Sequence, residues 1–230
     1  MANEVYRYDL HVHTYEGSAC AHSTGADIAD FYKSLGYAGI VVTDHFWAGN
    51  TRVDRNQPWE DWLAGFRKGY EAAKRRGDEI GLDVFYGWEY SFYGTDYLTY
   101  GLDNDWAAEH PEMKSMDIVD YLNLVRGAGG YVIHAHPFME AHYIPYIRLL
   151  PRHVDAVEVI NAPKPQSVND RALEYARGYD LTMTAGSDCH SVDAKHLAGI
   201  EVDRRLTSIQ DLVYALRNRE HRLFRIEREQ

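Results

Sequence analysis

The residues of this 230-residue chain best suited to chemistry are histidines and carboxylates that follow short apolar runs. His11-Val-His13 follows Tyr8-Asp9-Leu10, and Asp188-Cys-His190 follows the segment Leu181–Ala185. In extended backbone, residues i and i+2 face the same side, so each pair brings two donors to one point. Three further apolar runs end in single donors: His45 after Ile40-Val-Val-Thr-Asp, Glu89 after Val84-Phe-Tyr-Gly-Trp, and His136 after Tyr131-Val-Ile-His-Ala. Any one of these alone reads as a core histidine or a helix cap. Jointly they do not, because burying so many imidazoles and carboxylates costs several kcal/mol per charged group unless they are paired or coordinate a cation. A divalent metal centre is the expected chemistry. Mixed imidazole and carboxylate donors suit Zn²⁺, Mn²⁺ or iron. The two cysteines, Cys20 and Cys189, form no Cys-x-x-Cys pair, which disfavours a disulfide scaffold or a thiolate zinc site.

The elements that must carry these donors are strands alternating with helices. Strands are predicted near Tyr8–Val12, Gly39–Thr43, Asp83–Glu89, Tyr97–Tyr100, Gly130–His134, Ala156–Ile160 and Leu181–Ala185. Helices are predicted near Asp27–Leu35, Trp59–Arg76, Met116–Ala128, Val168–Arg177 and Ile209–Arg217. Ser208-Ile-Gln-Asp211 is a capping-box-like start for the last helix, and Gly129-Gly130 a stop after Ala128. This rhythm predicts βα units around parallel strands, with the donors at the downstream strand ends where parallel barrels build their sites. The expected fold is an α/β barrel on these seven strands, in one domain over residues 1–230. Thr51–Pro58 and Gly101–Ser115 are the longest stretches expected to be irregular.

Composition excludes several alternatives. A formal charge of −11 disfavours non-specific nucleic-acid binding, which relies on clustered Lys and Arg. No apolar run approaches the roughly 18 residues of a spanning helix. The opening Met1–Asp9 lacks the basic and apolar regions of a signal peptide, so a cytoplasmic location is expected, with no membrane partner.

The ordered set Asp9-Leu-His11-Val-His13-Thr, Thr43-Asp-His45, Gly87-Trp-Glu89, Ala135-His136-Pro137 and Gly186-Ser-Asp188-Cys-His190 resembles the polymerase and histidinol phosphatase (PHP) domain family over nearly the whole chain. The resemblance implies a distorted (β/α)7, TIM-like barrel holding two or three metal ions, with phosphoesterase activity. It implies that His11, His13 and Asp188 hold one metal, that Glu89 bridges to a second held by His136, and that His45 and His190 hold a third. A further ligand is expected after the first His-x-His. Cys20 and His22 are the candidates, and the Cys-x-His arrangement favours His22 by its likeness to the histidinol-phosphatase branch. Where the family carries a histidine before Leu-x-Tyr-Gly, this chain has Asp96, either an oxygen ligand of the second metal or a turn residue. His134 takes a supporting or core role.

The expected function is metal-dependent hydrolysis of a phosphomonoester or phosphodiester of a small molecule, by a water deprotonated between two metals. Glu89 and His190 are the expected catalytic groups, with Asp44 beside His45 orienting a ligand or relaying a proton. Lys164 and Arg52 are the candidates for binding the substrate's anion. The competing readings are amidohydrolase-type C–N hydrolysis by the same metals, and a catalytically silent PHP module with a structural or sensing role. No lysine able to be carbamylated lies beside the motifs, and most of the donor set is present, so both rank second.

Overall fold

The computed structural model describes residues 4–228. One nine-stranded sheet organises it, in the order β7-β6-β5-β4-β3-β2-β1-β8-β9. The strands are β1 (Tyr6–Val12), β2 (Gly39–Val42), β3 (Asp83–Phe92), β4 (Thr95–Tyr100), β5 (Tyr131–Ala135), β6 (Ala156–Asn161), β7 (Thr182–Gly186), β8 (His196–Val202) and β9 (Arg222–Glu227). The helices are α1 (Gly25–Ser34), α2 (Trp59–Phe66), α3 (Lys68–Ile80), α4 (Asn104–Ala108), α5 (Ile118–Gly127), α6 (Gln166–Gly178) and α7 (Ile209–Arg217). Past the end of β7 the chain returns to β1: His13 N–H donates to Cys189 O (2.8 Å) and Cys189 N–H to His11 O (3.2 Å). The sheet is therefore a nearly closed barrel.

The α/β barrel expectation holds, but the sevenfold βα count and the uniformly parallel sheet do not. β3 and β4 form an antiparallel hairpin whose two-residue turn, Tyr93-Gly94, has φ of +49° and +78°. So short a link cannot host a crossover, and positive φ at both positions suits a turn matched to strand twist. β4 and β5 are also antiparallel, as are β1 with β8 and β8 with β9. Neither β8 nor β9 is among the predicted strands. β9 reads Arg-Leu-Phe-Arg-Ile-Glu, and its charged, half-exposed alternation marks it as the protected edge. The single helix expected over Trp59–Arg76 is two, broken at Arg67. The stretch expected to be irregular after Gly101 contains α4, capped by Asp103, and a 3₁₀ turn at Pro111–Lys114.

Inside the barrel, Tyr8, Leu10, Val41, Phe85, Tyr131, Ile133 and Ala156 pack with Leu212 and Leu216 of α7, which plugs the end where the parallel strands begin. Outside, Trp62, Trp88, Phe46 and Tyr121 bury α2 and α5 against the sheet, while Tyr32, Ile28 and Ala73 do so for α1 and α3. Strict alternation from Tyr8 and Leu10 would turn His11 outward. A register shift in β1 between Asp9 and Val12 corrects this, and Asp9 accepts the displaced His11 N–H (3.1 Å). The apolar plug thus leaves the opposite mouth to polar residues. Among the described residues, no helix is long and apolar enough to cross a membrane.

Candidate metal centre

The mouth gathers the donors at the downstream ends of β1, β2, β3, β5 and β7. Antiparallel β4 adds Asp96 from its upstream end, because the hairpin places Asp96 opposite Ser91. Four overlapping donor groups result, each with its ligand atoms within 4.8 Å of one another: His13–His45–His190, His11–His13–Glu89, His11–His136–Asp188 and Glu89–Asp96–His136. Asp96 is buried in this set and is not merely a turn residue.

Glu89 lies at the centre, fully buried. Its Oε1 is 3.3 Å from both His11 Nε2 and His136 Nε2; its Oε2 is 2.6 Å from His45 Nδ1 and 3.6 Å from His13 Nε2. Asp188 Oδ1 lies 3.3 Å from His13 Nε2 and 3.6 Å from His11 Nε2. Yet His11 Nε2, His13 Nε2, His45 Nδ1 and both Glu89 oxygens have no hydrogen-bond partner. Buried polar atoms that face one another without hydrogen bonding are costly unless something else satisfies them. Ligands held at 2.0–2.2 Å around one ion stand about 3–3.5 Å apart, close to most of the spacings here. The donor set therefore fits divalent cations. Burial disfavours charge on both rings of the first pair. Carboxylates of Glu158, Asp188 and Glu89 outweigh it at His11 and raise its pKa, whereas His13, facing His190 and His45, is pushed well below the usual range. Burial likewise opposes charge on Glu89 and Asp188, but the surrounding imidazoles hold both well below the usual carboxylate range.

A layer behind the donors fixes their orientation. Glu158 Oε1 accepts from His11 Nδ1 (3.0 Å), which leaves Nε2 free for a cation, and Glu158 Oε2 accepts from His136 N–H (3.0 Å) and Asn161 Nδ2 (2.9 Å). Ser18 Oγ stands 3.0 Å from His13 Nδ1 and donates to Asp44 Oδ1 (2.7 Å). His190 Nδ1 pairs with Asp188 O (2.7 Å). His136 and Asp188 hold φ of +26° and +48°, an uncommon backbone for either residue type and one often found at functional sites. Sequence reasoning missed Glu158, Ser18 and Asn161. The available signal was Glu158 itself, a carboxylate in the otherwise apolar Ala156-Val-Glu-Val-Ile strand, since a buried carboxylate needs a partner.

Close packing protects this layer. A Cβ on Gly186 would stand 2.6 Å from Glu158 Oε1 and 2.6 Å from the His11 Cβ. Gly186→Ala should cost about 1–3 kcal/mol in urea unfolding and weaken metal binding by displacing the Glu158–His11 pair. Wild-type affinity in a titration of that variant would contradict this.

Several sequence expectations need correction. His22 is exposed, its backbone N–H is spent on His190 O (2.8 Å), and neither it nor Cys20 belongs to the donor groups. Cys20 instead lines the cleft, with its thiol in hydrogen-bonding reach of His190 and His45. Arg52 is not free to meet a substrate: its guanidinium donates to the carbonyls of Tyr15, Ala19 and Ala21 and stacks on Tyr15. Asp44 stands behind the donors, its carboxylate occupied by Thr14 N–H (2.7 Å), Thr14 Oγ1 (2.6 Å) and Ser18. It is placed to orient His13 through Ser18. Lys164 does reach the cleft, with Nζ 3.3 Å from Asp188 Oδ2. Burial opposes its charge, but Asp188 outweighs this and keeps it an ammonium.

His134 faces outward, stacked on Tyr97 at 4.8 Å, with neither ring nitrogen hydrogen-bonded. Burial pushes its pKa down to about 3. The unfolded chain then binds a proton near pH 6.5 that the native one refuses, so stability falls as pH drops from there toward 3. Between pH 7 and 5, in chelator, wild type should lose about 2 kcal/mol more than His134→Phe in urea unfolding. Equal losses would show that His134 does not carry that slope.

The cleft over the donors has a volume of about 440 Å³ and is walled by Asn50, Ser91, Met139 and Tyr143 as well as Lys164. A family profile described as PHP-associated matches residues 166–221. No curated protein matches the chain. Among solved structures, the chain is similar to a two-domain protein of Bacteroides vulgatus containing a predicted PHP-like metal-dependent phosphoesterase, with 15% identity and a TM-score of 0.71. That alignment covers 96% of this chain and 65% of the other, so the chain spans about two thirds of that protein. A candidate metal-dependent phosphoesterase of Bifidobacterium adolescentis aligns with 18% identity and a TM-score of 0.55, covering 91% of this chain and 95% of its own. An amidohydrolase of Chromobacterium violaceum, with bound sulfate and no metal, aligns with 15% identity and a TM-score of 0.54, covering 80% and 87%.

Proposed function

We propose that the chain is a member of the PHP domain family and a metal-dependent phosphoesterase acting on a small phosphate ester, a reading supported by its barrel and by the PHP-associated segment at residues 166–221. The observation that carries this reading is Glu89, whose two unbonded oxygens each face a different set of imidazoles. In this reading His11, His136, Asp188 and Asp96 surround one side of Glu89, and His13, His45 and His190 the other, so these residues would hold the cations and the carboxylate would serve both sets. Divalent ions bound there would lower the pKa of a water and neutralise phosphoryl oxygens.

The chain's own groups complete the site. Glu158 and Ser18 fix which nitrogen of His11 and His13 faces inward. Lys164, the one lysine or arginine among the described residues lining the cleft, binds a non-bridging phosphate oxygen in exchange for Asp188. Asn50 and Ser91 offer neutral hydrogen bonds, and Met139 and Tyr143 an apolar wall for the ester's organic part. Lys164 is paired with Asp188 and does not bridge the imidazole sets, so the carbamylated-lysine form of C–N hydrolysis has no support here.

The test is phosphate release from a panel of mono- and diesters by protein loaded with zinc, manganese or iron. Release is expected to vanish in His11→Ala and Asp188→Ala. Amide hydrolysis with no ester hydrolysis, or silence across the panel at full metal content, would overturn the proposal.

A further inference from the structure

We propose that Cys20 supplies a thiolate ligand to the outermost cation, making that position thiophilic and unlike the carboxylate-rich positions beneath it. The proposal rests on the metal-dependent reading above and concerns a residue type that composition alone argues against as a metal ligand.

Three observations converge. Cys20 is half-buried, lines the cleft beside His45 and His190, and has its sulfur in reach of both rings. Independently, His13 is fully buried and its Nε2 has no partner, while its ring stands 4.2 Å from that of His190 and 4.5 Å from that of His45. His13, His45 and His190 form a donor group, which Cys20 borders from the cleft without belonging to it. Three imidazoles and Glu89 Oε2, which lies 2.6 Å from His45 Nδ1, leave a five-coordinate ion one ligand short, and Cys20 lines the cleft beside those rings.

The loop explains why sulfur arrives there. The Ala21 N–H donates to Ser18 O (3.2 Å) and the Ala19 N–H to Asn50 O (2.8 Å), which closes a turn with Cys20 near its tip. Arg52 holds the same loop through the carbonyls of Ala19 and Ala21. Cys189 cannot substitute, since its buried thiol contacts Ser191 O and Tyr32. Soft sulfur favours zinc-like ions over manganese, whereas carboxylate positions accept manganese readily. The outer position therefore selects its metal differently from the inner ones.

Cobalt reports this directly. Metal-free protein reloaded with Co²⁺, its metal content measured, should display a near-ultraviolet thiolate-to-cobalt charge-transfer band. The band should persist in His22→Ala and be lost in Cys20→Ser. A full cobalt content without the band, or a band that survives in Cys20→Ser, overturns the thiolate ligand and leaves the metal-dependent reading standing. Failure to take up cobalt at all overturns both. A second measurement needs no variant: alkylation of Cys20 in the wild-type chain, followed by mass spectrometry, should slow about tenfold when zinc is added first. An unchanged rate at full zinc content overturns the proposal.

Discussion

Glu89→Gln is expected to lower ester hydrolysis about 10³-fold or more, the scale of losing a central electrostatic group in a preorganised site. The substitution keeps the shape of the side chain and removes its charge. An amide nitrogen would then stand where a carboxylate oxygen now lies 3.3 Å from His11 and His136, or 2.6 Å from His45. Either orientation puts a donor against the nitrogens that face the cations, and only one oxygen remains to serve two sets. Both metal content and turnover should therefore fall together. Activity within tenfold of wild type, at unchanged metal content, would mean that Glu89 is a core residue.

Chelation should have the largest effect on stability. The buried donors have no partners of their own, so ions that bind only the folded chain add directly to its unfolding free energy. Two sites, each with ion at about 1,000 times its Kd, contribute about 8 kcal/mol in total. In a chain of this size that corresponds to a fall in Tm of about 15 °C or more on metal removal. Calorimetry with and without chelator reads it, and superimposable transitions would contradict it.

Much of the site was legible because strand-end donors come at spacings that backbone alternation makes meaningful. His11-x-His13 and Asp188-x-His190 converge as their spacing predicts. What alternation cannot encode stayed hidden. The register shift at Asp9 that keeps His11 inward is invisible in a pattern of residue types. The placement of Cys20 and His22 depends on the turn after Ser18, where period-two reasoning lapses, and it is Cys20 that lines the cleft. Asp96 entered from the upstream end of β4 only because the Tyr93-Gly94 turn reverses the chain. β8 and β9 were missed because they pair antiparallel beyond β1, outside the βα rhythm that guided the strand assignments. Arg52 and Asp44 sit close in sequence to the donors but spend their polar atoms on the loop that carries His13.

The central claim is that Glu89 joins cations held by two sets of histidines, and metal counting tests it most directly. Wild-type protein, dialysed against zinc or manganese and then against metal-free buffer, should retain more than one divalent ion per chain by elemental analysis, and Glu89→Gln should retain fewer. Retention of one ion or none by folded wild-type protein, or an undiminished content in Glu89→Gln, would contradict the account.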